Sequence, residues 1–148
     1  MSEDKKELHM QQAGEFRSHL TERQEKIRNP EIREKLDTVI RKLGDLRDLQ
    51  YWFDSGEKEL DRLYERYMPY LVTILDSYIK LENSWNHEEL DKVKAKLAGS
   101  LQQFADMLGE IMTILPQDEI DEAAAQAKAK KQKEELDRKY RKFYEETN

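Results

Sequence analysis

The chain has 148 residues, of which 39% are charged and 37% are hydrophobic, and its length fits one domain. So much charge argues against a thick globular core and favours slender amphipathic helices that each bury one stripe. The five glycines and three prolines are too few for an all-β fold, which needs frequent turns. We therefore expect an all-α fold, an elongated antiparallel bundle of four to five long amphipathic helices with coiled-coil-like packing.

The composition also excludes several classes of site. The formal net charge of −6 disfavours non-specific binding to nucleic acid or to anionic membrane surfaces. The absence of cysteine removes disulfides, thiolate nucleophiles and thiolate metal sites. The first residues have no apolar stretch typical of a signal peptide, and no run is long enough for a transmembrane segment. These features predict a cytoplasmic protein.

The first two predicted helices are separated by Asn29 and Pro30, because proline suits the first turn of a new helix and disfavours helix at the residue before it. The N-terminal helix occupies residues 1–28, and the core helices occupy residues 30–116. The expected stripe of the first helix is Leu8, Phe16, Leu20 and Ile27. The expected seam of the second is Leu36, Val39, Leu43, Leu46, Gln50 and Phe53.

Residues 54–57 carry turn chemistry and form either a tight turn or a weak point in one long helix. We favour a turn, because glycine destabilises a helix and the side chains of Asp and Ser compete for backbone hydrogen bonds. The third helix then runs from residue 57 to about residue 82, and Pro69 should kink it. Its expected seam is Leu60, Tyr64, Tyr67, Leu71, Ile74, Tyr78 and Leu81.

A loop at residues 83–87 contains Trp85 and precedes the cleanest apolar seam of the chain, which runs from Leu90 to Leu115. Pro116 is predicted to end that fourth helix. Residues 117–148 are predicted to form a separate charged C-terminal helix of the same single domain. We expect its distal part to be exposed unless a partner covers it.

No catalytic or metal-binding pattern is visible. His9, His19 and His87 are interpreted as solvated surface side chains, because the Glu-x-x-His motifs of a di-metal bundle are missing. The acidic group at residues 118–122 suits a helix N-terminus, where negative charge is favoured anyway. We expect no cofactor and no metal, and we lean against an enzyme.

The aromatic residues suggest packing or contact surfaces. The third-helix tyrosines at positions 64, 67, 70 and 78 are interpreted mainly as core or partner interface. Tyr51, Trp52 and Phe53 are consecutive and cannot all face one side of a helix. At least one of Tyr51 and Trp52 should therefore cover another helix or remain an exposed contact. Trp85 has the same two interpretations.

Between positions 126 and 142, eight basic residues stand against three acidic ones. This stretch could contact phosphate or an acidic partner, although interleaved alanine and glutamate favour a solvated helix. The candidate partner surface is Tyr51, Trp52, Trp85, Lys128, Lys130 and Lys131. The expected partner is another protein or a second copy of the chain, and not nucleic acid.

Three segments resemble one bacterial family. Residues 66–83 read RYMPYLVTILDSYIKLEN, residues 27–46 read IRNPEIREKLDTVIRKLGDL, and residues 89–112 read ELDKVKAKLAGSLQQFADMLGEIM. These segments resemble XpaC-like proteins, the bromochloroindolyl phosphate hydrolysis proteins, over about residues 27–120. Met68 stands where the family often has leucine. The chain also lacks the family's hydrophobic N-terminus and its usual ending.

The resemblance implies a helical protein linked to toxic-anion (tellurite) stress functions, and the family name implies phosphate hydrolysis. The resemblance supplies no catalytic residues that can be placed on this sequence. We therefore expect a bacterial non-catalytic helical interaction or scaffold protein. The alternative is a phosphomonoesterase-type hydrolase.

Overall fold

The computed structural model describes residues 1–84 and 87–147, apart from the side chains of residues 87, 146 and 147. Four helices account for almost all of this part of the chain, which contains no strand. They are α1 (Glu3–Lys26), α2 (Pro30–Trp52), α3 (residues 57–82) and α4 (His87–Thr147). None of the described helices is both long enough and apolar enough to cross a membrane. The predicted all-α bundle is confirmed.

Short polar side chains define where the first two helices begin. The Ser2 hydroxyl accepts a hydrogen bond from the Lys5 amide at 3.2 Å. The Asn29 side chain accepts one from the Ile32 amide at 3.1 Å, and Pro30 follows it as the first residue of α2. Each cap satisfies a backbone donor that has no partner within its own helix.

Each helix packs on two neighbours, in the order α1, α2, α4, α3 around the bundle. Consecutive helices are antiparallel, whereas α1 and α3 run in the same direction, as do α2 and α4. The Nζ atom of Lys94 lies 3.3 Å from a Glu31 carboxylate oxygen near the start of α2. The buried side chains include Leu20, Ile27, Leu36, Leu43, Leu46, Leu60, Tyr64, Leu71, Tyr78, Leu101, Leu108 and Leu115.

The chain turns back between α2 and α3, as expected at residues 54–57. Residues 53–56 are not helical, and Gly56 has a φ of 80°, in the left-handed region that glycine adopts without strain. The Ser55 hydroxyl donates a hydrogen bond to the backbone carbonyl of Leu115. The turn is therefore fixed against α4.

The third helix contains a wide π-helical turn, Leu63–Tyr67, immediately before its Met68–Glu82 segment. The Met68 amide bonds to the carbonyl of Leu63, five residues back. Because Pro69 has no backbone N–H to continue the ladder, a wide turn at this position accommodates it.

The π-helical turn also corrects the predicted seam. Tyr67 is 41% exposed, whereas Met68 is fully buried in its place. Farther along, Leu75 is buried and Ile74 only partly so. The expected spacing assumes an undisturbed α-helix, and the extra residue of the π-helical turn brings Met68 to the buried face in place of Tyr67. The expected seam positions Leu71 and Tyr78 are buried.

The predicted end of a helix at Pro116 is wrong, because α4 is one continuous helix from His87 to Thr147 with Pro116 inside it. A proline removes one backbone hydrogen bond, and the residues on both sides favour helix strongly enough to continue. At 1.5 Å per residue, α4 is about 90 Å long. All side chains from position 120 to 145 are exposed. We call residues 117–145 the projecting segment.

Candidate functional site

Tyr51 and Trp52 end α2 as an exposed aromatic pair. Their side chains are 61% and 72% exposed, and both lie outside the local seam. The ring centroids are 5.1 Å apart with an angle of 87° between the planes, an edge-to-face arrangement. Phe53, the next residue, is partly buried and packs against the core. Its burial fixes the last turn of α2, so the two preceding aromatics face solvent.

The aromatic pair borders a groove of about 780 Å³ that follows α2 and reaches α1. Four basic side chains line it against two acidic ones. The basic residues are Arg17, Arg41, Lys42 and Arg47, and the acidic residues are Asp45 and Asp48. Arg41 pairs with Asp37 at 3.0 Å. The groove therefore has an apolar end, formed by Tyr51 and Trp52, and a lining in which basic side chains outnumber acidic ones.

Arg17 and Arg47 lie across the α1–α2 contact in a reciprocal arrangement. The guanidinium carbon of Arg17, on α1, lies 3.2 Å from where a Cβ atom would stand on Gly44 of α2. The guanidinium carbon of Arg47, on α2, lies 3.5 Å from the equivalent position on Gly14 of α1. Neither guanidinium has an ion pair with a carboxylate of the described residues. Two cations that form no ion pair within the described part of the chain thus border the groove.

The aromatic pair and the start of the projecting segment are at the same end of the bundle. Ser55 contacts Leu115 there, and the Lys6 ammonium lies 2.6 Å from Asp54. The amino end of α1, the α2–α3 turn and the beginning of the projecting segment therefore meet. The hydrogen bond from Lys6 is the main cause that holds the pKa of Asp54 below its usual range.

The candidate lysines are farther away. Lys128, Lys130 and Lys131 are exposed on the projecting segment. Lys128 is thirteen residues beyond Leu115, roughly 20 Å along the helix axis. Trp85 lies outside the described residues. The structure therefore brings together Tyr51 and Trp52 but does not join them with the lysines into one surface.

Several large apolar side chains are exposed to solvent on the projecting segment. Its exposed apolar residues are Ile120, Leu136, Tyr140, Phe143 and Tyr144. Exposed aromatic and aliphatic side chains at one end of a helix are typical of a contact surface. The side chains of the weak sequence stripe that begins at Leu136 are thus more than half exposed to solvent.

The prediction that all histidines are surface residues is wrong for His9, which is 1% exposed. Its Nε2 atom lies 2.7 Å from Asp61 Oδ1 on α3, and Lys5 lies 3.0 Å from the same oxygen. Burial alone raises the pKa of Asp61, but the hydrogen bonds from His9 and Lys5 outweigh it and hold that pKa below its usual range. The carboxylate is therefore ionised at neutral pH, and His9 Nε2–H donates to it.

A second buried polar contact lies beside His9. The Tyr64 hydroxyl donates to the side-chain oxygen of Gln50, and Phe16 stacks on the Tyr64 ring with centroids 6.1 Å apart. Burial raises the pKa of the Tyr64 hydroxyl well above its usual value. His9 Nδ1 and Gln50 Nε2 are buried without a hydrogen-bond partner among the described residues.

This polar cluster joins α1, α2 and α3; His9, Gln50 and Tyr64 are buried, whereas the Asp61 side chain is 29% exposed. A substrate has no access to an imidazole that is 1% exposed, so the cluster is suited to positioning helices and not to turnover. The spacing of position 9, four residues before Ala13 and eleven before Leu20, is the one sequence signal that places His9 on the same helix face as those two residues. Within the described residues, no group of three or more His, Asp or Glu side chains is placed to hold a metal ion.

Comparison with known proteins identifies no relative. No protein-family model, no curated protein and no solved structure matches the chain.

Proposed function

We propose that this chain is a non-catalytic helical interaction module, and that it binds a protein partner at the end of the bundle where Tyr51 and Trp52 are exposed. The observation that carries the proposal is the edge-to-face Tyr51–Trp52 pair beside the groove. Both aromatic rings expose apolar surface to water, and a partner that buries this surface gains hydrophobic free energy. Tyrosine and tryptophan are also the residue types most enriched at energetically dominant interface positions.

The groove indicates the chemistry of the partner segment. Arg17 and Arg47 border it without ion pairs to described carboxylates, and arginine binds carboxylates in a bidentate fashion. Asp45 and Asp48 reduce the local positive charge without cancelling it. The occupant that fits is a protein segment with an apolar anchor for the aromatic pair and one or two acidic side chains for the arginines.

The test is affinity capture with the 148-residue chain, followed by measurement of binding to the purified partner. The variant Tyr51→Ala/Trp52→Ala should weaken the purified interaction at least about tenfold, as expected for loss of two central aromatic contacts. Tyr70→Ala is the matched control, because Tyr70 is equally exposed but lies on α3. Equal binding by both variants and the unchanged chain would exclude the Tyr51–Trp52 surface.

The link to XpaC-like proteins and to toxic-anion stress remains part of this proposal, on the sequence resemblance alone. The hydrolase alternative is tested by incubating the purified chain with a chromogenic phosphomonoester and a series of divalent metals. Turnover above that of a mock purification would contradict a non-catalytic role.

A further inference from the structure

The projecting segment is helical although it buries almost no surface against the described bundle. Its side chains from position 120 to 145 are all exposed. Most helices in proteins are stabilised by the face that they bury, so an exposed helix must rely on its own residues. The first part of the segment is rich in the strongest helix former, alanine, at positions 123, 124, 125, 127 and 129.

The second part of the segment carries charged residues at intervals of four. Three charge rows alternate in sign along the helix: Lys130–Glu134–Arg138, Lys131–Glu135–Lys139 and Lys133–Asp137–Arg141–Glu145. Residues four apart are neighbours on a helix surface, and opposite charges at this spacing stabilise an isolated helix. Between positions 128 and 145 there are seven opposite-charge pairs at this spacing and one like-charge pair, Arg138 and Lys142. This order of charges favours a helix that needs no partner.

The charge rows act through their spacing and not through fixed contacts. Within the described residues, no pair of the three rows is at ion-pair distance. Exposed pairs at this spacing contribute little one by one, so the succession of several pairs along the same helix is what supports it. The segment also has no glycine, proline or serine between positions 117 and 145, unlike a flexible linker.

We propose that the projecting segment is a free-standing single helix that serves as a rigid spacer. The fourth row of the same helix is uncharged beyond Lys128 and carries Leu136 and Tyr140, which are 53% and 60% exposed. Leu136 stands about 30 Å along the helix axis from Leu115. The spacer therefore holds this apolar row at a fixed distance from the end of the bundle where Tyr51 and Trp52 are exposed.

The first experiment is NMR of the isotope-labelled 148-residue chain, at concentrations where sedimentation gives a monomeric mass. Helical Cα shifts should extend through the segment to about position 143. In Glu134→Lys/Glu135→Lys, two of the three charge rows become like-charged. The helical shifts of residues 130–142 should then fall by at least about a quarter. Lysine and glutamate have similar helix propensities, so this loss measures the charge pairing.

Two further variants complete the charge test. Asp121→Lys/Glu122→Lys is the matched control, because it makes the same change in net charge where no opposite charge stands four residues away. It should leave the shifts of residues 130–142 unchanged. The rescue variant adds four substitutions that reverse the remaining charges of both altered rows, Lys130→Glu, Lys131→Glu, Arg138→Glu and Lys139→Glu. It should restore the helical shifts, because the rows again alternate in sign.

The second experiment measures the length of the spacer. The chain has no cysteine, so Gln117→Cys/Tyr140→Cys provides two unique sites for spin labels. Neither substitution alters a charge row. Pulsed electron paramagnetic resonance should give one narrow distance distribution, centred near the length of about 35 Å that a helix has between these positions. A disordered segment would give a broad distribution with a shorter mean.

Random-coil shifts in the monomeric chain would overturn the proposal, and so would a broad distance distribution. Helical shifts that appear only as the sedimentation mass rises would also overturn it and assign the helix to self-association. Equal shifts in Glu134→Lys/Glu135→Lys and in the unchanged chain would show that the charge rows do not support the helix. The inference goes beyond the proposed function, because Tyr51→Ala/Trp52→Ala should leave the measured distance unchanged.

Discussion

The Nε2 atom of His9 lies 2.7 Å from Asp61 Oδ1, and this contact joins the first helix to the third inside the bundle. Asp61 stands just before the π-helical turn, and Tyr64 within that turn contacts Gln50 of the second helix. One buried polar cluster therefore fixes the relative positions of three helices. Its hydrogen bonds require specific partners, so it contributes more to a unique arrangement than apolar contacts alone.

Replacing His9 with alanine should destabilise the bundle by about 1–3 kcal/mol, because Asp61 loses a hydrogen-bond donor and the buried ring leaves a space. Urea unfolding followed by circular dichroism measures the change. His19→Ala is the control, since His19 is an exposed residue of the same helix and should change stability by less than about 0.5 kcal/mol. Equal effects of the two substitutions would contradict a structural role for the His9–Asp61 contact.

Acid should weaken the bundle partly through Asp61. The pKa of Asp61 is lower in the folded chain than in the unfolded chain, so its stabilising contribution is complete above the unfolded value of about 3.9. The contribution is lost as the pH falls through the lower folded pKa. Asp61→Asn should therefore flatten the dependence of the melting temperature on pH between about 5 and 2.

Asp54→Asn is the matched comparison for this acid transition. The pKa of Asp54 is also lowered, mainly by Lys6, but its side chain is largely exposed and the ion pair is screened by solvent. Its removal should flatten the acid dependence less than removal of Asp61. The reverse order would show that the buried cluster does not dominate the acid response.

The Tyr64–Gln50 contact should behave as a coupled pair. Tyr64→Phe leaves the Gln50 side chain buried without its donor and should cost about 1–3 kcal/mol. Gln50→Leu removes the acceptor and should also destabilise. The double variant should cost less than the two single changes together, because no polar group is then left unpaired. Additive effects in urea unfolding would contradict the coupling.

The Tyr64 hydroxyl should also make the stability of the bundle depend on pH in the alkaline range. Burial raises the pKa of Tyr64, so the unfolded chain releases this proton first. The associated stability is present below the unfolded pKa of about 10 and is lost as the pH rises above it. Burial likewise raises the pKa of Tyr78 to about 12, so Tyr64→Phe should reduce the alkaline loss without abolishing it.

The residue types around the helix starts and the turn at residues 54–57 were sufficient to predict these features from the sequence. Ser2 and Asn29 cap the helices they precede, and the Asp-Ser-Gly stretch does reverse the chain. The expected seam of the third helix is correct at Leu60, Tyr64, Leu71 and Tyr78 and fails at Tyr67, where Met68 is buried instead. The spacing argument assumes a constant 3.6 residues per turn, and the π-helical turn before Pro69 violates that assumption.

Other features depend on contacts between distant residues. Leu8 is more apolar than His9, so the apolar pattern favoured Leu8 for the buried face of α1. Asp61, 52 residues away, supplies the partner that makes burial of His9 favourable. In the candidate site, three consecutive aromatics predicted that Tyr51 or Trp52 would leave the seam. Arg17 lies against Gly44, and Arg47 lies against Gly14, only because α1 packs on α2. No pattern in the sequence predicted these two contacts.

Pro116 should lower the stability of α4, because it lacks the N–H that would bond to the carbonyl of residue 112. Pro116→Ala should increase stability by about 1–3 kcal/mol in urea unfolding. Pro69→Ala should gain less, since the π-helical turn before Pro69 already accommodates the missing donor. A loss of stability in Pro116→Ala would indicate that proline geometry positions the projecting segment.

Gly56 should tolerate a side chain poorly, because its φ of 80° is strained for alanine and an added Cβ would lie 2.6 Å from Leu115 Cδ1. Gly56→Ala should therefore destabilise the bundle by roughly 1–3 kcal/mol in urea unfolding. Gly99→Ala is the opposite case within α4. A Cβ at that position meets open space, so better helix propensity should stabilise the chain by about 0.5–1 kcal/mol. If Gly56→Ala were as stable as the unchanged chain, the α2–α3 turn could not be fixed against Leu115 as described.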